Sequence, residues 1–304
     1  MNGGEERNTP YYQAAAVLPE THYRTAAAIN APARRRAEEF RLRVGHPMTV
    51  LIDGREHRTD GPEVTEGDLR TLLERASRSS AHTVLDRVRS GFVTIRGGHR
   101  IGLCGTAVMR EGSIQSLDRL SSAAVRIAKP VEGLGGQAVS AMAQNGRLCS
   151  TLILAPPGAG KTTLLREMVR RLSDGVDTPA RRVGLADERG EVAAVWEGKP
   201  QLDVGSHTDV MSGCPKAAGL SILLRGMSPE VLAADEITAE ADVDAMTWAV
   251  GCGVSLLATA HGGSVDDLTR RPLYRKLLEL GLFRRVLLLE SRGGLRTLRC
   301  EVLP

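Results

Sequence analysis

The stretch that most constrains the fold lies between residues 150 and 172. An apolar, β-rich run from Thr151 to Leu154 leads into a loop of prolines and glycines. The loop leads into a segment with helical periodicity. A strand, a glycine-rich loop and a helix in this order are typical of a phosphate-binding loop, in which backbone N–H groups and the helix N-terminus converge on an oxyanion. The sequence therefore predicts a phosphate site where the helix begins.

The side chains of this loop fit the pattern Gly-x-x-x-x-Gly-Lys-Ser/Thr at all but one position. In that pattern Lys161 would reach the β- and γ-phosphates, and Thr162 would supply a hydroxyl to Mg²⁺. The residues expected to contact the nucleotide are Pro157, Gly158, Ala159, Gly160, Lys161, Thr162 and Thr163. Ala155 replaces the first glycine, which matters little if that position needs no positive φ angle. The alternative, a Gly/Pro turn before an ordinary helix, is less favoured because strand, loop and helix all agree.

Length, composition and charge narrow the kinds of protein that this chain can be. The 304 residues are enough for about two domains. Hydrophobic residues make up 42% of the chain but aromatic residues only 3%, so Leu, Val, Ile and Ala must fill the cores. The net charge of +4 is small for this length, and the basic residues are interleaved with acidic ones. These features do not indicate a dedicated nucleic-acid binder.

Cysteine usage and the N-terminus indicate the compartment. The five cysteines are far apart and show no paired spacing, which favours free thiols over a disulfide framework or a zinc site. The N-terminal sequence lacks the basic-then-apolar order of a secretory signal, and no apolar run approaches the ~18 residues of a membrane span. We therefore expect a cytoplasmic protein, with peripheral docking on a membrane complex left open.

The first part of the chain is predicted to form a smaller α+β domain over residues 1–132, with residues 1–30 partly disordered. The elements expected in it are a hairpin over 40–52, a tight turn at Asp53-Gly54, helices over 65–77 and 81–89, a hairpin around Gly97-Gly98 and a strand over 121–128. The glycine-rich segment 133–136 predicts the linker to the second domain.

The second domain, over residues 137–304, alternates strand and helix patterns, which predicts an α/β fold with a mostly parallel sheet. In such sheets, ligands lie outside the carboxyl ends of the strands. Asp235 and Glu236 follow a buried strand, so Asp235 is expected near Mg²⁺ and Glu236 near the water that attacks the γ-phosphate.

Two more strands end in candidate site residues. Asp187 and Glu188 follow one of them and are candidates for the metal or the attacking water. The alternative for these two is a helix cap with first-turn acids. His261 ends another strand and would sense the γ-phosphate, although a lone loop histidine is more often structural.

Together, Lys161, Thr162, Asp235 and Glu236 favour nucleotide hydrolysis. The Asn-Lys-x-Asp signature of guanine specificity is absent from the sequence, so ATP is the expected nucleotide. Phosphoryl transfer depends on positioning and charge neutralisation, and an arginine for this purpose often comes from another subunit.

Several longer segments resemble one known family. The most specific are Gly97-Gly-His-Arg-Ile-Gly-Leu-Cys-Gly, Pro156-Pro-Gly-Ala-Gly-Lys-Thr-Thr-Leu-Leu-Arg, Asp187-Glu-Arg-Gly-Glu-Val-Ala, Thr208-Asp-Val with Cys214-Pro-Lys, Met227-Ser-Pro-Glu-Val, Asp235-Glu-Ile and Ala258-Thr-Ala-His-Gly. In these segments the chain resembles the stage III sporulation protein AA family. That family is a branch of the RecA-like secretion ATPases of type II and type IV secretion and pilus machines.

The resemblance carries expectations about fold and partners. It implies a RecA-like P-loop ATPase domain that binds ATP and Mg²⁺. It also implies a homo-oligomer, a hexameric ring, that works in the cytoplasm with membrane-embedded sporulation channel proteins and without nucleic acid.

The resemblance also suggests roles for single residues. Asp187 and Glu188 resemble the acidic "Asp box" of secretion ATPases, and His261 resembles their "His box". Arg100 and Arg126 look like the arginines that those enzymes place at subunit interfaces, whereas a strand arginine is otherwise a solvent-facing residue. The chain departs from the expected pattern at two positions: Gly190 stands where we expect a serine, and His207 where we expect an arginine.

Two other functions remain open on the sequence alone. A RecA-like nucleic-acid-dependent ATPase, or a nucleic-acid-binding module, would show salt-dependent affinity for DNA or RNA. A small-molecule P-loop kinase would share the phosphate loop, but the adjacent Asp235 and Glu236 suit activation of water better.

Overall fold

A computed structural model describes residues 9–76, 92–110, 112–128, 134–144, 147–292 and 295–303. The chain divides into an N-terminal unit, Met1–Lys129 with Ala194–Gln201, and a C-terminal unit, Pro130–Ala193 with Leu202–Pro304. The expected helix over 81–89 lies outside the described residues. The predicted domain boundaries remain a prediction, and no sequence pattern indicated that residues 194–201 group with the N-terminal unit.

The described part of the N-terminal unit is a six-stranded antiparallel sheet with short helices. Its helices are α1 (Pro10–Ala15), α2 (Glu20–Ala28), α3 (Ala31–Arg36) and α4 (Glu66–Ala76). Its strands are β1 (Ala37–Arg43), β2 (Pro47–Ile52), β3 (Arg55–Glu63), β4 (Phe92–Thr94), β5 (Arg100–Arg110) and β6 (Ser113–Arg126). The strand order is β3-β2-β1-β6-β5-β4. The hairpins expected over 40–52 and around Gly97-Gly98 are confirmed.

Apolar and polar residues alternate along the strands, so this sheet has one buried face and one polar face. Phe40 and Leu42 of β1 are fully buried, and Phe40 is paired with Val50 of β2 and Val125 of β6. Because successive side chains of a strand point to opposite faces, the arginines between these apolar residues lie on the other face. One of them, Arg41, is more than a third exposed.

The C-terminal unit contains the parallel sheet. Its described helices are α5 (Gly135–Met142), α6 (Lys161–Asp174), α7 (Lys216–Met227), α8 (Glu240–Gly251), α9 (Val265–Thr269) and α10 (Pro272–Glu279). Its described strands are β7 (Ala143–Gln144), β8 (Arg147–Leu148), β9 (Thr151–Ala155), β10 (Val183–Asp187), β11 (Thr208–Ser212), β12 (Val231–Ala234), β13 (Ser255–His261), β14 (Arg285–Arg292) and β15 (Leu295–Val302).

Seven of these strands form one sheet in the order β11-β10-β12-β13-β9-β14-β15, and β7 pairs with β8 separately. All neighbours in the large sheet are parallel except β14 and β15. Strands β9, β10 and β12 are buried along their whole length, as expected for a parallel sheet covered on both faces. The predicted α/β fold, with a mostly parallel sheet preceded by a smaller α+β domain, is confirmed.

Two local sequence patterns gave a wrong expectation. Residues 265–280 have helical periodicity, which predicts one helix, but they form two, α9 and α10. Pro272 lacks the N–H that would continue the first helix and is favoured at the start of the second. Gly135 and Gly136, assigned to the linker, begin helix α5 instead. A side chain at Gly135 would collide with Glu167 of α6, so close helix packing explains that glycine.

None of the helices in the described ranges combines the length and the apolar character needed to cross a bilayer.

Candidate functional site

The loop between β9 and α6 has the backbone geometry of an anion cradle. Gly158 and Gly160 have φ angles of 75° and 103°, which a residue with a side chain rarely adopts. Gly160 is the N-cap of α6, so the free N–H groups of the first turn point out of the helix beside the loop. Ala155 is a buried residue of β9 and lies outside the positive-φ region, which is why alanine is tolerated where the pattern has glycine.

Thr162 of α6 contacts the acidic residue that follows β12. Its hydroxyl donates to Asp235 Oδ2 at 2.6 Å, and the hydroxyl of Thr259 in β13 donates to Asp235 Oδ1 at 2.6 Å. Burial raises the pKa of Asp235, while the two hydroxyl donors act in the opposite direction. Two neighbouring strands and the helix thus fix both oxygens of this carboxylate.

Lys161, His261 and Glu236 form a hydrogen-bonded chain. The Lys161 ammonium donates to the backbone oxygen of Pro156 at 3.3 Å and lies 2.9 Å from His261 Nδ1. His261 Nε2 lies 2.9 Å from Glu236 Oε1. Since an ammonium has no acceptor, Nδ1 must accept from Lys161, and Nε2 then carries the proton that is donated to Glu236. Burial lowers the pKa of Lys161, while the nearby carboxylates raise it.

Glu236 adopts a backbone conformation that is rare for its residue type. Its φ is 46°, in the left-handed region, and such positions are concentrated at functional sites. The Thr259 hydroxyl accepts from the Glu236 backbone N–H at 2.8 Å and so links this turn to Asp235. On the solvent side, Arg189 Nη1 lies 3.4 Å from Glu236 Oε2. His261 and Arg189 therefore hold the two oxygens of this carboxylate from opposite sides.

Asp187 organises the loop that follows β10. Its carboxylate is only 1% exposed and accepts from the backbone N–H groups of Glu191, Val192 and Ala193 at 2.8 to 3.2 Å. Gly190, which stands where a serine was expected, has a φ of 64° within this turn. These bonds give Asp187 a structural task, and its catalytic role stays a prediction.

We expect Asp187→Asn to destabilise this loop and the chain. An amide NH₂ cannot accept from backbone N–H groups, so at least one buried donor would lose its partner, at a cost of about 1–3 kcal/mol in the free energy of unfolding. Urea unfolding followed by circular dichroism measures this change. The exposed Asp266 is the matched control, and Asp266→Asn should stay within about 0.5 kcal/mol of the unsubstituted chain. Equal stability of both variants would contradict this role for Asp187.

Glu188 is held by a buried lysine. Glu188 Oε2 lies 2.7 Å from the ammonium of Lys216, which is 5% exposed at the start of α7. The residues that line the adjacent pocket are Asp187, Glu188, Arg189, Glu191, Lys216, Asp235 and Glu236. The C-terminal unit therefore brings together all the predicted site residues that it contains, on the phosphate loop and at the carboxyl ends of β10, β12 and β13.

Arg100 and Arg126 belong to the N-terminal unit. They are opposite each other on β5 and β6, and Arg126 is also opposite Glu39 of β1. Glu39 is 3% exposed and forms ion pairs with Arg41 and Arg126, and Arg100 stacks on the ring of Phe92 at 3.7 Å. The sheet therefore presents the two arginines side by side.

The donor set suits Mg²⁺ when a nucleotide is present. Within the described ranges, no three His, Cys, Asp or Glu side chains form a ready-made metal cluster. Mg²⁺ commonly takes one or two carboxylates with substrate phosphates. Because the Thr162 hydroxyl gives its proton to Asp235, its lone pairs remain available to a hard cation. Thr162 and Asp235 thus fit the ion.

The sequence did not indicate three residues that support the site. Thr259 joins Asp235 to Glu236, Lys216 binds Glu188, and Arg166 of α6 donates to the backbone oxygens of Glu191 and Val192. The sequence signal for them was the family resemblance, because Arg166, Lys216 and Thr259 each lie within one of the segments that carry it. Their contacts were not predictable, since the partners of Arg166 and Lys216 are 25 or more residues away in the chain.

The comparisons with known proteins identify the family and the fold. The family model described as "Sporulation stage III, protein AA" matches residues 17–300. The chain is 37% identical over 281 residues to stage III sporulation protein AA of Bacillus subtilis, and the match covers 92% of this chain and 91% of that protein.

Two solved structures share the fold. The pilus retraction motor PilT with bound ADP aligns with a TM-score of 0.61 at 20% identity, over 90% of this chain and 80% of that one. The ATPase DotB of Legionella pneumophila aligns with a TM-score of 0.58 at 18% identity, over 88% and 77%. At these identities the likeness concerns the fold alone. The family match and the near full-length relative go further, and this chain belongs to the sporulation stage III protein AA family.

Proposed function

We propose that this chain is an ATP-hydrolysing motor that energises a secretion-like channel complex at a membrane. The observation that carries the proposal is the pair of contacts beside the phosphate loop. Thr162 lies against Asp235 at 2.6 Å, and Lys161 is joined through His261 to Glu236. These contacts support the proposal, because hydrolysis of a triphosphate requires a phosphate cradle, a cation site and a base side by side.

The phosphates would be bound by the loop and by Lys161. The loop amides and the N-terminus of α6 supply fixed partial positive charge, and Lys161 supplies a full one. Its present partner, His261 Nδ1, is a neutral acceptor, so the ammonium would exchange that contact for phosphate oxygens. The released Nδ1 would then be free to respond to the γ-phosphate.

Thr162 and Asp235 would hold Mg²⁺ through a hydroxyl oxygen and a carboxylate. When bound, the ion would neutralise charge that develops on the phosphates. Asp235 is kept in place by Thr162 and Thr259, which restricts its carboxylate to one orientation. Glu236 would accept the proton of the attacking water, and its contact with His261 would orient it for that task.

We also propose that the protein is a homo-oligomer, a ring of six by resemblance, and that Arg100 and Arg126 complete the site of a neighbouring copy. Family membership supports a place in sporulation, with membrane-embedded channel proteins as partners and a cytoplasmic location. No nucleic acid is part of this function.

Arg100→Ala is expected to abolish hydrolysis while the chain still folds. The substitution removes a stacking contact worth about 0.5–1 kcal/mol, whereas an arginine supplied to the transition state contributes about 10³-fold or more to kcat. Phosphate release measured over a range of protein concentrations tests this prediction, because a shared site makes specific activity rise with concentration.

Arg58, an exposed arginine on β3, provides the control. Arg58→Ala should retain activity. Size exclusion with light scattering, with and without a non-hydrolysable ATP analogue, reports the oligomeric state in the same samples. Undiminished activity of Arg100→Ala, independent of protein concentration, would contradict the shared site.

A further inference from the structure

Lys216 is a buried cation that no part of the proposed reaction yet uses. Its ammonium lies 2.7 Å from Glu188, 3.4 Å from the hydroxyl of Thr238 and 3.9 Å from Asp242. Only 5% of the residue is exposed, yet it lines the pocket that contains Glu236. A charge in this position requires an explanation, because burial removes the water around an ammonium. The loss costs free energy unless other polar groups take the place of that water.

The position of the Lys216 charge at the start of α7 is electrostatically unfavourable. It is the first residue of α7, where the positive end of the helix dipole disfavours a cation. The compensation comes from its partners. Asp242 is itself 3% exposed, and from the third position of α8 its carboxylate accepts from the backbone N–H groups of Thr238 and of Ala239, the N-cap of that helix. Asp242 is therefore a fixed internal anchor, and Glu188 is the partner that faces the pocket.

The strand register places Glu188 beside Glu236. Strands β10 and β12 are parallel neighbours, and Ala186 is paired with Ala234. Glu188 and Glu236 each lie two residues beyond that pair, so they leave the sheet at equivalent positions of adjacent strands. Both line the same pocket. Two carboxylates so placed repel each other unless a cation holds one of them.

We propose that Lys216 is a positioning residue that fixes Glu188 next to Glu236, so that two carboxylates together hold the attacking water. Lys216 acts through Glu188 and does not itself contact the nucleotide. This inference rests on the proposed function, because the water it concerns is the one used in ATP hydrolysis. The sequence already makes Glu188 a candidate for that water, and the new element is Lys216, which holds Glu188 there beside Glu236 as the base.

The test compares phosphate release by four forms of the full chain: the unsubstituted protein, Lys216→Met, Glu188→Gln and the double variant. Lys216→Met should lower kcat about 10²-fold, the size of a misplaced acid–base group, and leave KM within about threefold. If Lys216 acts through Glu188, Glu188→Gln should lower kcat by a similar factor and the double variant should be no worse than Glu188→Gln alone. Lys276→Met, on the outer helix α10, is the matched control and should leave kcat unchanged.

Three results would overturn the inference. The first is unchanged kcat in Lys216→Met or in Glu188→Gln. The second is a loss caused by Lys216→Met that is as large in the Glu188→Gln background as in the original, which would mean a merely structural role. The third is a rise in KM that accounts for the whole effect. If Lys216→Met does not fold, Glu188→Gln alone tests the inference. The inference requires this variant to have a lower kcat, so an unchanged kcat would overturn it.

Hydrogen exchange separates this inference from the proposed function. If the unsubstituted protein releases no phosphate from ATP with Mg²⁺, the proposed function fails. The contact itself is then tested by amide exchange in residues 188–190, which precede the three amides that the Asp187 carboxylate holds. Exchange there should be about tenfold faster in Lys216→Met because Glu188 has lost its anchor. Unchanged exchange in that segment would overturn the positioning role whether or not the chain hydrolyses ATP.

Discussion

Replacing Lys161 with alanine is expected to lower the affinity for ATP by about 100-fold or more, equivalent to about 2.7 kcal/mol. Lys161 carries the full positive charge beside the phosphate loop, and the loop amides alone supply only partial charges. The protein should remain folded, because the burial that lowers the pKa of this ammonium makes it a costly group to keep in the absence of phosphate. Titration with a fluorescent ATP analogue measures the affinity.

Lys276 provides the matched control for this substitution. It is a lysine of the same unit, 41% exposed on α10, and its contact there is an ion pair with Asp244. Lys276→Ala should bind ATP with the affinity of the unsubstituted chain. If Lys161→Ala also binds ATP normally, the loop between β9 and α6 is not the phosphate site.

Glu236→Gln is expected to bind ATP normally and to hydrolyse it about 10²–10⁴-fold more slowly. The amide keeps the size of the side chain and can still accept from His261, but it cannot take a proton from water. Nucleotide retained by the variant, separated by chromatography, should be intact ATP. Release of inorganic phosphate provides the rate.

The control for Glu236→Gln is Glu279→Gln, at an exposed position of α10, which should hydrolyse ATP at the original rate. Full activity of Glu236→Gln would remove Glu236 as the base. A phosphorylated small molecule in place of free phosphate would favour a kinase instead. In a kinase, Glu236 would accept the proton of the substrate hydroxyl that receives the phosphoryl group.

The parts of the site that could be predicted from the sequence are those made by consecutive residues. The strand, loop and helix around Lys161 follow from local patterns, because glycines at positive φ and a helix start leave a direct mark on the sequence. Asp235 and His261 were found in the same way, as polar residues at the ends of apolar runs. The contacts among them were not predictable from spacing, since they depend on the strand order β12-β13-β9.

The contacts that support the site could not be predicted from local sequence patterns. Lys216 begins a helix, where a lysine is ordinary in appearance, and only the fold shows that it is buried against Glu188. Asp187 looked like a candidate for metal or water, whereas its three backbone bonds became visible only in the folded loop. Side chains that serve distant backbone or distant charge are set by tertiary packing, which one sequence does not encode in a local pattern.

A structure of the chain with a non-hydrolysable ATP analogue and Mg²⁺ would be the most direct test of nucleotide hydrolysis at this site. We predict that the Lys161 ammonium leaves His261 Nδ1 for the β- and γ-phosphate oxygens, and that the ion lies between Thr162, Asp235 and the phosphates. Glu236 should contact a water in line with the γ-phosphate. An analogue bound away from the loop, or a Lys161 still bonded to His261 with the analogue present, would contradict this mechanism.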